Sequence, residues 1–215
     1  MSRARRGELP PEVIDEVSQV VGSTYAKRVL SRLGEATYAF QRERWADARS
    51  TLSPLVKQYP DVIAIRELYG LVLYRMERWK LAAKEFEAVA AMADSLDQYP
   101  VLADCYRAMG RHGEVERLWD ALRQGGVGVD ILTEGRIVTA GSRAENGRIK
   151  DAIRLLEEGP VSVRRPREHH LRLWYALAST YERAGDVPRA RGLFRQLRAV
   201  APDFADVDHR LANLS

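Results

Sequence analysis

Four places in this sequence are candidates for a nucleophile, an acid or base, a phosphate cradle or a metal ligand set. They are Cys105, the adjacent His169 and His170, the glycine-rich stretch GGVGVD at 125–130, and the paired carboxylates Glu157 and Glu158. A cysteine nucleophile needs a base to take its proton, and helical spacing brings no histidine near Cys105. Beside Tyr106 in an apolar helical stretch it reads as a small buried residue. As the single cysteine of the chain, it excludes an internal disulfide and a multi-cysteine zinc site. His169 and His170 would leave a helix about 100° apart, so they do not share a metal as histidines at i and i+4 do, and they read as a helix start at the surface. GGVGVD superficially resembles a phosphate loop but lacks the preceding strand, the third glycine and the lysine that give such loops their meaning, and Asp130 is expected to cap the helix that follows. Glu157 and Glu158 read as solvated helix charges, and no nucleophile and base are brought together. No catalytic residue, cofactor or metal site is expected.

What these residues sit on is clearer than any chemistry they could do. In LWYALASTYERAGDVPRARGLFRQLRAVAP, residues 173–202 with the turn at Gly185-Asp186, Trp174, Leu177, Ala178 and Tyr181 fall at i, i+3, i+4 and i+7. Ala190, Phe194 and Leu197 continue the helical period after the turn. Two helices therefore meet closely through Ala178 and Ala190, with Trp174, Tyr181 and Phe194 filling the space around that contact. Pro202 ends the second helix.

The order W-x-x-L-A-x-x-Y followed by G, A, F and P resembles a tetratricopeptide repeat of bacterial type, whose period is 34 residues. The chain also copies itself at that separation. Glu43-Arg44-Trp45 recurs as Glu77-Arg78-Trp79, and Ala48 with Leu52 recurs as Ala82 with Phe86. A third unit carries the pattern at Tyr99, Leu102, Ala103, Tyr106, Gly110 and Trp119, with Val115 in place of alanine. A fourth carries it at Ala140, Gly147, Ala152 and Leu156, with Arg143 where the family tends to have tyrosine. The resemblance implies an all-α fold, a right-handed superhelical array of five helix-turn-helix pairs at about 29–62, 63–95, 96–129, 130–160 and 167–202. A tail and capping helix (1–28) and a C-terminal capping helix (203–215) flank the array. Residues 11–21 place Val13, Ile14, Val17, Val20 and Val21 on one face, and Phe204, Val207, Leu211 and Leu214 form a second apolar stripe, as the exposed ends of a repeat array require. The turn glycines 110, 147 and 185 are 37 and 38 residues apart, so loops are inserted at GGVGVD and at GPVSVRRP (159–166).

In the family the first helix of each pair lines a concave surface that holds another polypeptide. Carried over position by position, the resemblance assigns that surface Glu67, Leu71, Tyr74 and Arg75 in the second repeat. It assigns Asp97, Asp104 and Arg107 in the third, and Arg172, Tyr175, Ser179, Glu182 and Arg183 in the fifth. Tyrosine and arginine are the types enriched at binding hot spots. Arg172, Tyr175 and Arg183 are expected to clamp an acidic or aromatic-bearing segment without being needed by the scaffold. Leu33 and Thr37 stand where repeats that hold the acidic C-termini of chaperones have lysine and asparagine, which argues against a carboxylate clamp of that type.

Charge supplies the competing reading. Between residues 160 and 200, nine arginines face only Glu168, Glu182 and Asp186, an excess larger than the net charge of +4 of all 215 residues. Nucleic-acid or ribonucleoprotein binding through this segment is therefore the alternative function. Against it, Arg189, Arg191, Arg195 and Arg198 fall on a second helix, away from the inner surface, and read as a solvated face. The favoured function is an adaptor for a protein or peptide partner without catalysis of its own. No apolar run approaches the length of a membrane span and no secretory leader is evident, so the expected place is the cytoplasm. Composition does not specify the oligomeric state.

Overall fold

The computed structural model describes residues 7–214. Residues 1–6 of the expected N-terminal tail and Ser215 lie outside them. Among the described residues every regular element is an α-helix. The chain divides into two compact units, one ending at Gln98 and the other beginning at Tyr99. The first holds α1 (Pro11–Val21), α2 (Ser23–Gln41), α3 (Trp45–Gln58), α4 (Ile63–Arg75) and α5 (Trp79–Ala93). The second holds α6 (Tyr99–Ala108), α7 (His112–Gln124), α8 (Val129–Glu145), α9 (Ile149–Glu157), α10 (Glu168–Arg183), α11 (Val187–Val200) and α12 (Val207–Asn213). It is a helical repeat array.

One turn geometry recurs within every pair. The amides of Arg44, Arg78, Arg111, Arg148 and Asp186 each donate to the carbonyl five residues back, at 2.8–2.9 Å. This closes the end of the first helix as a Schellman turn does. Such a turn needs a left-handed residue just before the donor. Gly110, Gly147 and Gly185 fill that place in the second unit, whereas Glu43 and Glu77 fill it in the first with φ of 57° and 58°. The copied Glu-Arg-Trp motif is thus a turn followed by a helix start, accepted in spite of the steric cost of a side chain in this conformation. The tryptophan that follows explains the copy. Trp45 meets Phe40 edge-on at 5.0 Å and Trp79 meets Tyr74 at 5.3 Å, so each locks its turn from outside.

In the first unit α2, α3 and α4 share a core that includes Val29, Leu33, Ala36, Ala48, Leu52 and Ile65. Helix α1 anchors to it through Val17, which is fully buried; Val13 and Val21 are half-buried, while Ile14 and Val20 are exposed. The expected five-residue apolar face therefore covers less than its sequence suggests. The reason is a polar anchor on the neighbouring strip. Glu16 accepts from the amides of Ile63 (2.5 Å) and Ala64 (3.2 Å), so the carboxylate of α1 caps the N-terminus of α4, where Val62 has no side chain able to do so. Replacing Glu16 with alanine should therefore cost about 1–2 kcal/mol, with Glu16→Gln losing less, as urea denaturation would measure. The N-terminal helix ends at Gly22, where the pattern of residues 11–21 places its end. Gly22, with φ of 81°, breaks the chain, and residues 23–28 already belong to α2.

In the second unit Trp119, Trp174, Leu173, Phe194, Ala178 and Ala190 are all buried to 2% exposure or less. Of the two expected insertions, 159–166 is free of helix throughout, whereas 125–130 is free of helix only as far as Gly128. Asp130 does not cap α8, however. The helix begins one residue earlier, at Val129 after Gly128, which leaves Asp130 in the first turn, where only its charge can favour the helix dipole. At the other end Val207, Leu211 and Leu214 are buried and Phe204 is half-buried, so the apolar stripe of α12 is a packing face.

Candidate functional site

Residues assigned to the inner surface occur in both units. On α4 of the first unit, Leu71 is half-buried and Arg75 is exposed, its guanidinium 6.0 Å from the Trp45 ring centroid. Tyr74 is the ring packed against Trp79. Glu67 accepts a hydrogen bond from Gln98 Nε2. Burial raises the Glu67 carboxyl above the usual range against that hydrogen bond, with the negative charges of Glu16 and Asp97 adding to the rise.

In the second unit the assigned residues join one first helix to the next. Arg107 on α6 holds Asp104 at 2.7 Å and reaches Glu145 on α8 at 2.5 Å. Arg172 on α10 reaches back to Glu134 on α8 at 2.7 Å. Glu182 on α10 reaches forward to Arg210 on α12 at 2.9 Å. Three charged rungs therefore cross α6, α8, α10 and α12. Burial raises the Glu134 carboxyl although Arg172 opposes the rise. Exposed pairs of this kind contribute little to stability, but they hold each charge at a set place on the face.

Tyr175 belongs to the same ladder, and here the expectation of a side chain the scaffold does not need is corrected. Its hydroxyl donates to Asp206 at 2.6 Å, and its ring meets Phe194 and Phe204 edge-on at 5.9 and 6.0 Å. That hydrogen bond lowers the Asp206 carboxyl below the usual range, while burial and the same bond raise the tyrosine hydroxyl. Tyr175 seats the segment leading into α12, so its removal perturbs the end of the unit. Arg183 is exposed and makes no ion pair among the described residues; Ser179 is half-buried, with an Oγ that has no hydrogen-bond partner among them. Of the fifth-repeat residues, Arg183 is thus the side chain most free to meet a partner.

The acidic partners Glu134, Glu145 and Asp206 escaped sequence reasoning. A signal existed for two of them, because Arg107–Glu145 and Glu134–Arg172 are both opposite charges 38 residues apart, matching the Gly147–Gly185 spacing. Arg143, which stands where the family pattern has tyrosine, forms a two-pronged bond to Glu116 on α7, with both N–O distances 2.8 Å. A fork–fork ion pair replaces an aromatic contact there.

Cys105 and the histidine pair, first weighed for chemistry, take these places. Cys105 is fully buried, and burial, with Asp104 adding to it, pushes its thiol up to about 12. The nucleophilic thiolate is then scarce at neutral pH. Iodoacetamide at pH 8 should therefore leave the folded chain unlabelled for hours and label it within minutes once denatured, as intact mass would register. His169 and His170 begin α10 as expected, but their rings do not diverge. The centroids lie 4.0 Å apart at 37° because His170 turns its Nδ1 back to accept from the Arg167 amide at 3.0 Å. Partial burial and the adjacent His169 hold His170 below the usual histidine range. Stacked faces do not aim two nitrogens at one metal, and among the described residues no group of three His, Cys, Asp or Glu side chains could hold one. Among them also, no helix is long and apolar enough to cross a membrane. Arg189 sits on Asp186, Glu157 and the Tyr181 ring, so with Arg172 it is already partnered within the basic segment 160–200.

Comparison with known proteins agrees with this geometry. Two family models described as tetratricopeptide repeat match residues 33–102 and 171–214. The second match joins α10 and α11 to α12. No curated protein matches the chain. A thermophilic tetratricopeptide repeat protein from Thermus thermophilus is 17% identical with a TM-score of 0.65, covering 86% of this chain and 98% of its own. The apo form of the quorum sensor NprR from B. thuringiensis is 14% identical with a TM-score of 0.71, covering 94% of this chain and 62% of its own. YrrB, a tetratricopeptide repeat protein with an unusual peptide-binding site, is 14% identical with a TM-score of 0.50, covering 91% of this chain and 96% of its own. At these identities the likeness is one of fold.

Proposed function

Because this chain is a tetratricopeptide repeat protein, we propose that it is an interaction scaffold of the cytoplasm that holds a polypeptide segment along the first helices of its repeats, without catalysis of its own. The observation that carries this reading is the ladder of charged rungs on α6, α8, α10 and α12. A partner segment meets charges that are already placed, so little side-chain entropy is lost when it binds. Arg183 adds an exposed cation without an ion-pair partner among the described residues. The fitting partner is a segment carrying carboxylates or an aromatic ring, which Arg172, Tyr175 and Arg183 would receive. The peptide-binding site named for YrrB supports the class of function, as does the family.

The test uses the full-length chain as bait in its native cell, followed by quantitative binding of the segment mapped from the protein that co-elutes. Arg183→Ala and Arg172→Ala together should weaken that segment about tenfold or more, with the melting temperature nearly unchanged. Tyr175 is left in place because it supports α12. Equal affinity for the double variant would overturn the assignment of this face, and retention of nucleic acid alone would favour the competing charge reading.

A further inference from the structure

Arg191, Arg195 and Arg198 of α11 stand at i, i+4 and i+7, and in sequence they read as a solvated face. The structure brings all three to one cavity of about 330 Å³, whose other wall is Asp208, Leu211 and Ala212 of α12. The charge inside is unbalanced. Among the described residues Asp208 is the single acid of the lining, and it approaches Arg198 only to 3.8 Å, with both side chains more than half exposed, a pair too weak to neutralise the three arginines. Arg195 has no ion-pair partner among the described residues. Arg191 gives one guanidinium N–H to the Leu214 carbonyl, while its Nε is buried and has no acceptor among them. A buried cationic donor without an acceptor is costly, and an acceptor carrying negative charge would relieve that cost.

We propose that this cavity is a binding site for one dianionic phosphoryl group, either inorganic phosphate or a phosphomonoester. Among the described residues three guanidiniums stand against one carboxylate, an excess of two positive charges, which a phosphomonoester near neutral pH balances. Its three terminal oxygens accept forked guanidinium bonds in the way carboxylates and phosphates do. A nucleic-acid backbone fits less well, because it needs phosphate contacts spread along a track. The next arginine along α11, Arg189, is already bound to Asp186 and Glu157, so the free positive surface of this helix turn ends with the cavity. The site lies on the second helix of its repeat and does not rest on the polypeptide-binding reading.

The experiment is thermal unfolding of the full-length chain titrated with sodium phosphate at constant ionic strength. Phosphate at roughly twenty times its dissociation constant should raise the melting temperature by about 4–7 °C, and chloride at equal ionic strength should not. Arg195→Ala, at an exposed position that the fold does not need, should weaken phosphate about tenfold or more. Asp208→Ala, which removes the repelling carboxylate, should tighten it about threefold. A phosphoserine peptide that displaces phosphate at lower concentration names a phosphorylated polypeptide as the source; failure of the peptide beside a clear phosphate shift names the free ion or a small phosphomonoester, and both support the site. Equal shifts with chloride, or an unchanged phosphate response in Arg195→Ala, would overturn it. So would tight binding of a single-stranded oligonucleotide that ignores the Arg195 substitution.

Discussion

Replacing Trp174 with alanine is expected to destabilise the second unit by about 3–5 kcal/mol, the range for removing a fully buried large aromatic ring. Trp174 is 1% exposed in the contact of α10 with its neighbours, and its indole nitrogen donates to the Pro160 carbonyl at 3.0 Å. The substitution thus opens a cavity and also unties the inserted segment 159–166 from the helix it crosses. Trp174→Phe separates the two effects. It keeps most of the ring volume and loses the indole donor, so it should cost roughly 1–2 kcal/mol and make the Arg164–Arg165 peptide bond more sensitive to trypsin. Chemical denaturation of both variants beside limited proteolysis measures each part. A Trp174→Ala chain as stable as the parent would mean that the ring does not fill the core described here.

The second large effect belongs to the first unit. Arg66 on α4 and Glu85 on α5 form an ion pair at 2.6 Å with only 17% and 10% of their side chains exposed, and Arg66 Nε also donates to the Pro60 carbonyl at 2.5 Å. Glu85→Ala leaves a mostly buried guanidinium without its counterion, and the expected loss is about 2–4 kcal/mol. The pair itself is worth far less than this figure, because both charges had to leave water to make it. The double variant Arg66→Met, Glu85→Leu should therefore recover most of the lost stability. A double-mutant cycle in urea reads both quantities, and additive losses would show that the two side chains do not depend on each other.

The helices, the repeat and its turns could be read from the sequence because all three follow from local spacing. The 34-residue copy of Glu-Arg-Trp and the period of Trp174, Leu177, Ala178 and Tyr181 require helix pairs before any long-range contact is known. The family matches and the all-helical fold agree with that reading. Glycine at 110, 147 and 185 announced the left-handed turn, whereas Glu43 and Glu77 take the same conformation without the residue that advertises it.

Which polar groups would find each other was another matter. Glu16 capping α4, Tyr175 bound to Asp206 and Arg143 gripping Glu116 join residues 27 to 48 positions apart. Nothing in the local pattern of a helix marks which of its charges will face a neighbour. The five apolar residues of 11–21 were alike in sequence, yet Val17 is buried and Ile14 and Val20 are exposed, because the angle at which α1 docks is chosen by its neighbours and by the Glu16 carboxylate. The arginines of α11 show the same division. Their spacing placed them on one face, but only α12 folding back across that face turned three ordinary surface charges into the lining of a cavity. Helical period is a property of consecutive residues, and a sequence carries it openly; the pairing of side chains on different helices exists only once those helices have packed.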